Sequence, residues 1–301
     1  MTEKTPPYAT PPHSSAIEIL APPVAASPVI FASPHSGRDY PSDLLRNSRL
    51  DQHALRQSED SYVDLLFDDA PRYGAPLLRA LFPRAYVDVN RSRDELDPRM
   101  FADDLPRSAD TRSSRVIAGL GVIPRIVADG HDIYGRKLYF LDAGRRLAAC
   151  YDPYHTALSM LVEQARARFG CAVLIDCHSM PSAGGAPFRS GEPRIDFVLG
   201  DRFGSSCAPF VTEIAEDALA SMGYEVARNA PYAGGFVAAS YGRPRKGVHV
   251  LQIEINRALY LDEQRIARTE GFDKLRTAMH VLVQRLTELR ADDVWAAQAA
   301  E

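Results

Sequence analysis

The chain has 301 residues, of which 46 % are hydrophobic and 25 % charged, and its formal net charge at pH 7 is −4. This composition is typical of a globular protein with a sizeable core. The negative net charge provides no electrostatic basis for binding nucleic acid or an anionic membrane, so we expect neither partner. A small anionic substrate is not excluded, because a local arginine cluster can oppose the overall charge.

The N-terminus and the cysteines indicate the cellular setting. No apolar run reaches the length of about 18 residues that a membrane span requires. The first 15 residues contain four prolines and no apolar segment, so we expect a disordered tail at 1–15 rather than a secretory signal, followed by one domain at 16–301. The four cysteines have no Cys-x-x-Cys spacing, which predicts buried, reduced thiols and a cytoplasmic protein.

Strands and helices are predicted to alternate along the chain. An edge strand at 17–20 and a core strand at 28–33 come first, and Ser42 is expected to cap a helix. Further strands are predicted at 75–79, 84–90, 122–127, from 172, at 196–200, 224–227 and 248–257. Further helices are predicted at 58–70, at 142–169 with an interruption near Pro153, through 212–222, and at 262–290.

Long loops separate some of these elements. The polar segment 92–121 has the length of a lid or binding loop, and the glycine-rich segment 229–236 is expected to line a site. We find neither an internal repeat nor a linker. The pattern predicts a single α/β domain, a three-layer α/β/α sandwich with a central mixed, mostly parallel sheet of the phosphorylase/hydrolase-like kind.

Two histidines occupy matching positions at strand ends. The apolar run 172–175 leads into Asp176 and His178, and the run 28–33 leads to His35. Open α/β sheets carry their sites at the carboxyl ends of such strands, so both histidines are expected at one edge of the sheet. A single strand-end histidine is commonly a hydrogen-bonded loop residue, but two in matching positions favour a metal site.

A zinc hydrolase needs about three protein ligands, which leave one position for water. Glu59, Asp60 and Asp176 are all open as the third ligand. From the pattern alone, the preferred explanation of Asp60 is a carboxylate near the start of the helix 58–70, and Asp176 is alternatively a partner that orients His178.

A carboxylate base and a carboxylate-binding arginine complete such a site. Glu254 lies in an apolar strand, which favours a base facing a cleft, and the alternative is a buried ion pair with Arg257. Arg91 and Arg257 each follow an asparagine at a strand end. Their planar guanidinium groups suit a substrate carboxylate or, equally, a structural salt bridge.

Seven short segments in this order resemble the N-formylglutamate amidohydrolases, which release formate and glutamate at the end of one histidine-degradation route. The segments are 33–37, 59–64, 87–91, 152–155, 175–179, Gly234-Gly235 with Tyr241-Gly242, and 252–254. They span roughly residues 30–265. The family looks like a relative of the zinc carboxypeptidases and aspartoacylases, which hold zinc with two histidines and one carboxylate.

This resemblance implies a set of residue roles. The zinc ligands would be His35, Asp60 and His178, the carboxylate clamp Asn90 and Arg91, and the base Glu254. Two features depart from the pattern. Position 38 is Arg, so the acidic ligand has to come from the next helix, and Met180-Pro181 stands where some members carry an arginine.

The remaining substrate contacts are less constrained by the resemblance. The second substrate carboxylate is then expected to bind Arg125, Arg243 or Arg257, and Arg125 is the candidate for stabilising the oxyanion. Gly234, Gly235 and Tyr241 belong to the matching segments and are expected to line the substrate pocket.

The resemblance implies zinc-dependent hydrolysis of a small anionic N-acyl amino acid, N-formyl-L-glutamate, to formate and L-glutamate. Fe(II), Mn or Co would also suit two histidines and a carboxylate. Another N-acyl amino acid deacylase or a metallocarboxypeptidase-like hydrolase is the alternative among enzymes. A non-catalytic binding protein for an acidic amino acid is the alternative from another class, and the presence of Glu254 beside three ligands argues against it.

Overall fold

The computed structural model describes residues 16–127, 130–185, 191 and 193–293, so the predicted tail at 1–15 and part of the loop 181–194 lie outside the described residues. The strands are β1 (Ile17–Leu20), β2 (Val29–Ser33), β3 (Leu77–Ala80), β4 (Ala172–Met180), β5 (Phe197–Gly200), β6 (Val226–Arg228), β7 (Val248–Asn256), β8 (Leu261–Asp262) and β9 (Ala267–Arg268). The helices are α1 (Ser42–Asn47), α2 (Gln52–Arg56), α3 (Val63–Leu66), α4 (Ser114–Ile117), α5 (Phe140–Arg146), α6 (Asp152–Phe169), α7 (Pro209–Ser221), α8 (Phe236–Tyr241) and α9 (Gly271–Thr287).

Seven strands form one mixed sheet in the order β1-β3-β2-β4-β7-β5-β6. The neighbours β3, β2, β4 and β7 are parallel, whereas β1 is antiparallel at one edge and β5 is antiparallel to β7. The central strands β4 and β7 pair along their whole length and are buried throughout. This burial explains why both read as nearly continuous apolar runs.

Alternate residues of the central strands pack into two separate apolar clusters. Val173 and Ile175 of β4 join the cluster that includes residues of α3, α7 and α9, while Ala172 and Leu174 join the cluster that includes residues of α5, α6 and α8. Helices therefore cover both faces of the sheet. The predicted three-layer α/β/α architecture is confirmed.

The residues at 84–90 form turns and irregular backbone, and those at 122–127 form bends with one isolated bridge from Ile126 to Asp132, rather than the predicted strands. Their backbone groups bond across irregular segments: the amide of Asp88 donates to the carbonyl of Val122, and the amide of Val122 donates to the carbonyl of Glu95. Apolar side chains in these segments are buried beneath loops. Burial alone produced the strand-like pattern.

Three predicted helices have different bounds. The segment 58–70 contains only the short helix α3, and a hairpin of β8 and β9 precedes α9, which begins at Gly271. Helices α5 and α6 are joined by a π-helical turn at Leu147–Tyr151. Pro153 therefore lies in the first turn of α6, directly after this π-helical turn.

The four cysteines are free and buried, as predicted. Within the described part of the chain, no helix has both the length and the apolar character needed to cross a membrane.

Candidate metal centre and active site

Two histidines and an aspartate meet at the carboxyl ends of β2 and β4. His35 follows β2 and His178 lies in β4, and because these strands are parallel neighbours, both side chains reach the same edge of the sheet. Their ring centroids are 4.9 Å apart. Oδ2 of Asp60 lies 3.3 Å from Nδ1 of His35 and 3.0 Å from Nδ1 of His178. The structure thus brings the three predicted ligands together in a buried cluster.

Asp60 reaches this cluster from a loop that precedes α3. The amide of Asp60 donates to the carbonyl of His35 at 3.0 Å, and Oγ of Ser36 donates to the carbonyl of Asp60 at 2.9 Å. The amide of Asp64 donates in turn to Oγ of Ser36 at 3.2 Å. Because these bonds hold Asp60 outside any helix, its explanation as a helix-start carboxylate is wrong.

The neighbouring acid Glu59 points away from the cluster. Its carboxylate accepts hydrogen bonds from Tyr40, Arg56 and Ser61. These three donors satisfy a carboxylate that is almost fully buried. Of the two adjacent acids, only Asp60 is therefore available as a metal ligand beside the two histidines.

Each histidine is backed by a second carboxylate at its other ring nitrogen. Oδ1 of Asp88 lies 2.8 Å from Nε2 of His35, and Oδ2 of Asp176 lies 3.0 Å from Nε2 of His178. A proton on each Nε2 then donates to a carboxylate, which leaves the Nδ1 lone pairs directed at the side of Asp60. Histidines that bind metals are commonly oriented by such a partner, and the geometry supports this role for Asp176.

The donor set fits a divalent cation. Two tetrahedral bonds of about 2.1 Å separate their ligand atoms by about 3.4 Å, close to the 3.3 and 3.0 Å that separate Asp60 from the two histidine nitrogens. Nδ1 of His35 is buried and has no hydrogen-bond partner among the described residues, as expected of a nitrogen that binds a metal. Two imidazoles and one carboxylate suit zinc and also Fe(II), Mn or Co.

Where no cation binds between them, mutual pairing favours the charged forms of these buried groups. Burial by itself would raise the pKa of Asp60, but the hydrogen bond with His178 and the nearby imidazole of His35 outweigh it and hold this pKa well below its usual value. Burial would lower the pKa of His178, yet the carboxylates of Asp176 and Asp60 raise it well above its usual value. The pKa of Asp88 is also held well below normal, against burial, by neighbouring guanidinium groups. Each charge in the cluster is therefore stabilised by an oppositely charged neighbour.

Glu254 faces the same cavity from β7. It pairs in register with His178 of β4, and its exposed fraction is 7 %. Oε1 accepts a hydrogen bond from Nε2 of Gln252 at 2.8 Å. Burial raises the pKa of Glu254 to about 7 despite the opposing charge of His178. A carboxylate with this pKa can both accept and return a proton near neutral pH.

Arg257 is held by groups other than Glu254. Its Nε donates to Oγ of Ser179 at 3.1 Å, and its Nη2 donates to the carbonyl of Glu59 and to Oδ1 of Asp60. The alternative of an ion pair between Glu254 and Arg257 is therefore wrong. Arg257 lines the cavity, but these contacts make it a partner of Asp60.

Asn90 and Arg91 also line the cavity. Nδ2 of Asn90 donates to Oδ2 of Asp176 at 3.3 Å, and Oδ1 accepts from the amide of Val237 at 2.8 Å. Both ends of the Asn90 amide are thus used within the protein. Of the predicted clamp, Arg91 keeps the greater capacity to bind a carboxylate.

Comparison with known proteins identifies the relatives of this chain. The N-formylglutamate amidohydrolase family matches residues 27–261. An N-formylglutamate deformylase of Pseudomonas aeruginosa is 30 % identical over 240 residues, which cover 79 % of this chain and 83 % of the relative. One from Pseudomonas putida is 29 % identical over 278 residues, 90 % and 94 % of the two chains. The chain belongs to the N-formylglutamate amidohydrolase family.

A solved structure extends the match to the fold. The crystal structure of an N-formylglutamate amidohydrolase from Ralstonia eutropha JMP134 superposes with a TM-score of 0.86 at 38 % identity. It covers 91 % of this chain and 98 % of that one. The family resemblance predicted from short sequence segments is confirmed.

The cavity of this family member has a volume of about 270 Å³ and contains the three candidate ligands. Gly234 and Gly235 form part of its wall, as predicted for the loop 229–236. A Cβ on Gly235 would lie 2.6 Å from Nδ2 of Asn90, which is closer than any side chain can approach. The absence of a side chain at Gly235 therefore lets this loop pack directly against Asn90.

Three predicted site residues do not reach the cavity. Arg125 forms ion pairs with Asp97 and Asp132, so the predictions that it stabilises the oxyanion or binds the second carboxylate are not supported by its position. Arg243 donates to the carbonyls of Ala239 and Gly242 on the protein surface. Tyr241 donates toward His155 of α6, behind the cavity wall. None of the three belongs to the described cavity lining.

Sequence reasoning missed three residues that the structure brings to the site. Asp88 holds His35, and Arg84 bonds to Asp88 at 2.8 Å and lies 3.8 Å from Oδ1 of Asp60. Arg115 is exposed and also lines the cavity. Asp88 lies within the matching segment 87–91 and Arg84 lies three residues before it, which is the one signal that pointed to them.

Proposed function

We propose that this protein is a zinc-dependent amidohydrolase that converts N-formyl-L-glutamate to formate and L-glutamate. The observation that carries the proposal is the cluster of His35, Asp60 and His178 beside Glu254 in one cavity. The names of the relatives support the substrate, and the cavity volume of about 270 Å³ suits a small molecule. The last step of a histidine-degradation route, in the cytoplasm, would be its setting, which the four free thiols support.

His35, Asp60 and His178 would hold the metal. A bound divalent cation supplies two things: it lowers the pKa of water and draws electrons from the acyl oxygen. Glu254 accepts a proton from the attacking water as the oxygen forms its bond to the formyl carbon. The carbon–nitrogen bond then breaks, and Glu254 returns the proton to the leaving amine, so formate and glutamate are released.

Arg84 replaces Arg125 as the candidate for stabilising the oxyanion. Its guanidinium lies between Asp60 and Asp88 and lines the cavity, whereas Arg125 pairs with other acids. Burial opposes its charge, but the carboxylates of Asp88 and Asp60 raise the pKa of Arg84 above its usual value. A permanent positive charge at this position would favour a negative charge that develops on the acyl oxygen.

Replacement of the base tests the proposed reaction. Glu254→Gln should lower kcat for N-formyl-L-glutamate by about 10²- to 10⁴-fold, because the amide cannot accept the proton. The matched control is Glu59→Gln, which neutralises another buried glutamate, one outside the cavity lining. Formate release and metal content are measured for both variants. A Glu254→Gln enzyme within tenfold of the wild-type rate would refute the mechanism.

Metal removal tests the cofactor separately. Dialysis against a chelator should abolish formate release, and stoichiometric zinc should restore it. Free zinc at about 100 times its Kd should also increase the free energy of unfolding by about 2.7 kcal/mol, because only the folded chain brings the ligands together. Equal activity and equal thermal stability with and without metal would contradict zinc dependence.

A further inference from the structure

Four arginines line the cavity, and three of them are already held by the protein. Arg84 bonds to Asp88, and Arg257 bonds to Asp60. Arg91 donates to two backbone carbonyls, and its Nη2 lies 3.7 Å from Oδ2 of Asp88. These groups therefore balance the acids of the metal cluster. They have little capacity left for a second anionic group of a substrate.

Arg115 differs from the other three arginines. It lies in α4, within the long loop that the sequence predicts to be a binding loop, and it is exposed. Among the described residues, its side chain has no hydrogen bond or ion pair. An arginine that lines a cavity without an acidic partner is free to bind an anion.

The backbone holds Arg115 in place beside Arg91. The amide of Leu120 donates to the carbonyl of Arg115 at 2.8 Å, and the carbonyl of Leu120 accepts from Nε of Arg91 at 2.9 Å. Val116 is buried, and Oγ of Ser113 accepts from its amide, so α4 is anchored from both ends. Burial, aided by the positive charges of Arg84 and Arg115, lowers the pKa of Arg91. Both arginines line the cavity, so the two guanidinium groups act on the same space.

The two arginines differ in exposure, and the two carboxylates of an N-acylated acidic amino acid differ in their distance from the bond that breaks. Arg91 is 7 % exposed and follows Asn90, which contacts His178, whereas Arg115 is exposed at the mouth of the cavity. In such a substrate the α-carboxylate is two bonds from the scissile nitrogen, and the side-chain carboxylate of glutamate is four bonds away. The inner arginine would meet the first group and the outer arginine the second.

We propose that Arg115 binds the side-chain carboxylate of the substrate and thereby sets the preference for an acidic N-acyl amino acid. This inference rests on the proposed hydrolase function and adds a specificity-determining residue to it. It replaces Arg125, Arg243 and Arg257 as the candidate for the second carboxylate.

A comparison of N-formyl-L-glutamate with N-formyl-L-glutamine tests this role. The two compounds have nearly the same shape and differ in the charge of the side chain. Arg115→Ala should lower kcat/KM for the glutamate compound by about 10- to 100-fold, mainly through KM, because one charged hydrogen-bond partner is lost. For the glutamine compound the same variant should lose about threefold or less. Arg115→Lys should recover part of the preference for glutamate.

Arg112→Ala is the matched control, because Arg112 is an exposed arginine of the same loop that does not line the cavity. It should leave both kcat/KM values unchanged. Equal losses on both substrates in Arg115→Ala would overturn the role of Arg115 while the hydrolase function stands. A wild-type enzyme loaded with zinc that releases formate from neither compound would overturn the proposed function and this inference with it.

Discussion

The two halves of β4 are equally buried but have opposite chemistry. In the first half, Ala172 and Leu174 face an apolar cluster beneath α6. In the second half, the same face of the strand carries Asp176 and His178, which lie in the charged cluster. Burial of a single unpaired charge would cost several kcal/mol, so the second half is stable only because each charge has a partner.

Two histidines of the sheet show the same contrast between charged and apolar surroundings, here in their pKa values. His178 lies among carboxylates, and its pKa is raised well above the usual value against the effect of burial. His249, in the first half of β7, is fully buried beside the ring of Phe210, and burial lowers its pKa to about 4. The charge state of a buried histidine here depends on whether a carboxylate is within reach.

The largest effect is expected when the charged cluster at the end of β4 loses Asp60, the acid that both histidines share. Asp60→Asn removes the negative charge between His35 and His178, and we expect zinc affinity to fall by more than the factor of about 10 to 100 that is typical of an outer partner. Isothermal titration with zinc measures the change. Asp64→Asn is the control, because Asp64 is a buried aspartate of the same segment that pairs with Arg38. Undiminished zinc binding by Asp60→Asn would mean that the cluster is not a metal site.

A smaller effect is expected from a partner that only orients a ligand. Asp88→Asn keeps the shape of the side chain at Nε2 of His35 but removes its charge, so zinc affinity should fall by about 10- to 100-fold. The same titration measures it, with Asp97→Asn as a buried control whose partners Arg99 and Arg125 lie outside the cluster. A loss as large as that of Asp60→Asn would place Asp88 among the ligands instead.

The last expected effect concerns pH and the apolar half. The pKa of His249 is about 4 in the folded protein and 6.5 ordinarily. Its contribution to the free energy of unfolding is therefore fully present above pH 6.5, where the imidazole is neutral in both the folded and the unfolded state. This stabilisation is lost as the pH falls toward 4, by about 1.4 kcal/mol per pH unit. His249→Asn should therefore reduce the pH dependence of the free energy of unfolding, measured by urea denaturation between pH 4 and 7. The control His131→Asn, at an exposed histidine, should leave this pH dependence unchanged. If the free energy of unfolding had the same slope against pH in wild type and His249→Asn, the low pKa of His249 would be contradicted.

Sequence patterns predicted the strands of the charged half well, since burial on both faces leaves a clear signal. The strands 28–33 and 248–257 and the position of His178 follow from apolar runs that end in polar residues. The register between β4 and β7, which pairs His178 with Glu254, depends on contacts between distant segments. No spacing within one segment encodes such a contact.

Partners that arrive from irregular loops were the hardest to predict. Asp88 and Arg84 lie in turns that the apolar pattern presented as a strand, and Arg115 lies in a polar loop without periodicity. Arg125 and Arg243 had the right chemistry, but their local partners hold them elsewhere. Which arginine faces the cavity is decided by tertiary packing rather than by residue type.

The hydroxyl of Ser36 joins two parts of the metal cluster that are distant in sequence. It donates to the carbonyl of Asp60 and accepts from the amide of Asp64, while the amide of Asp60 bonds to the carbonyl of His35. Two of the three candidate ligands are thus preassembled by the backbone before any ion arrives. Capture of the ion would then require little loss of conformational entropy, and the loop should already be rigid in the metal-free protein.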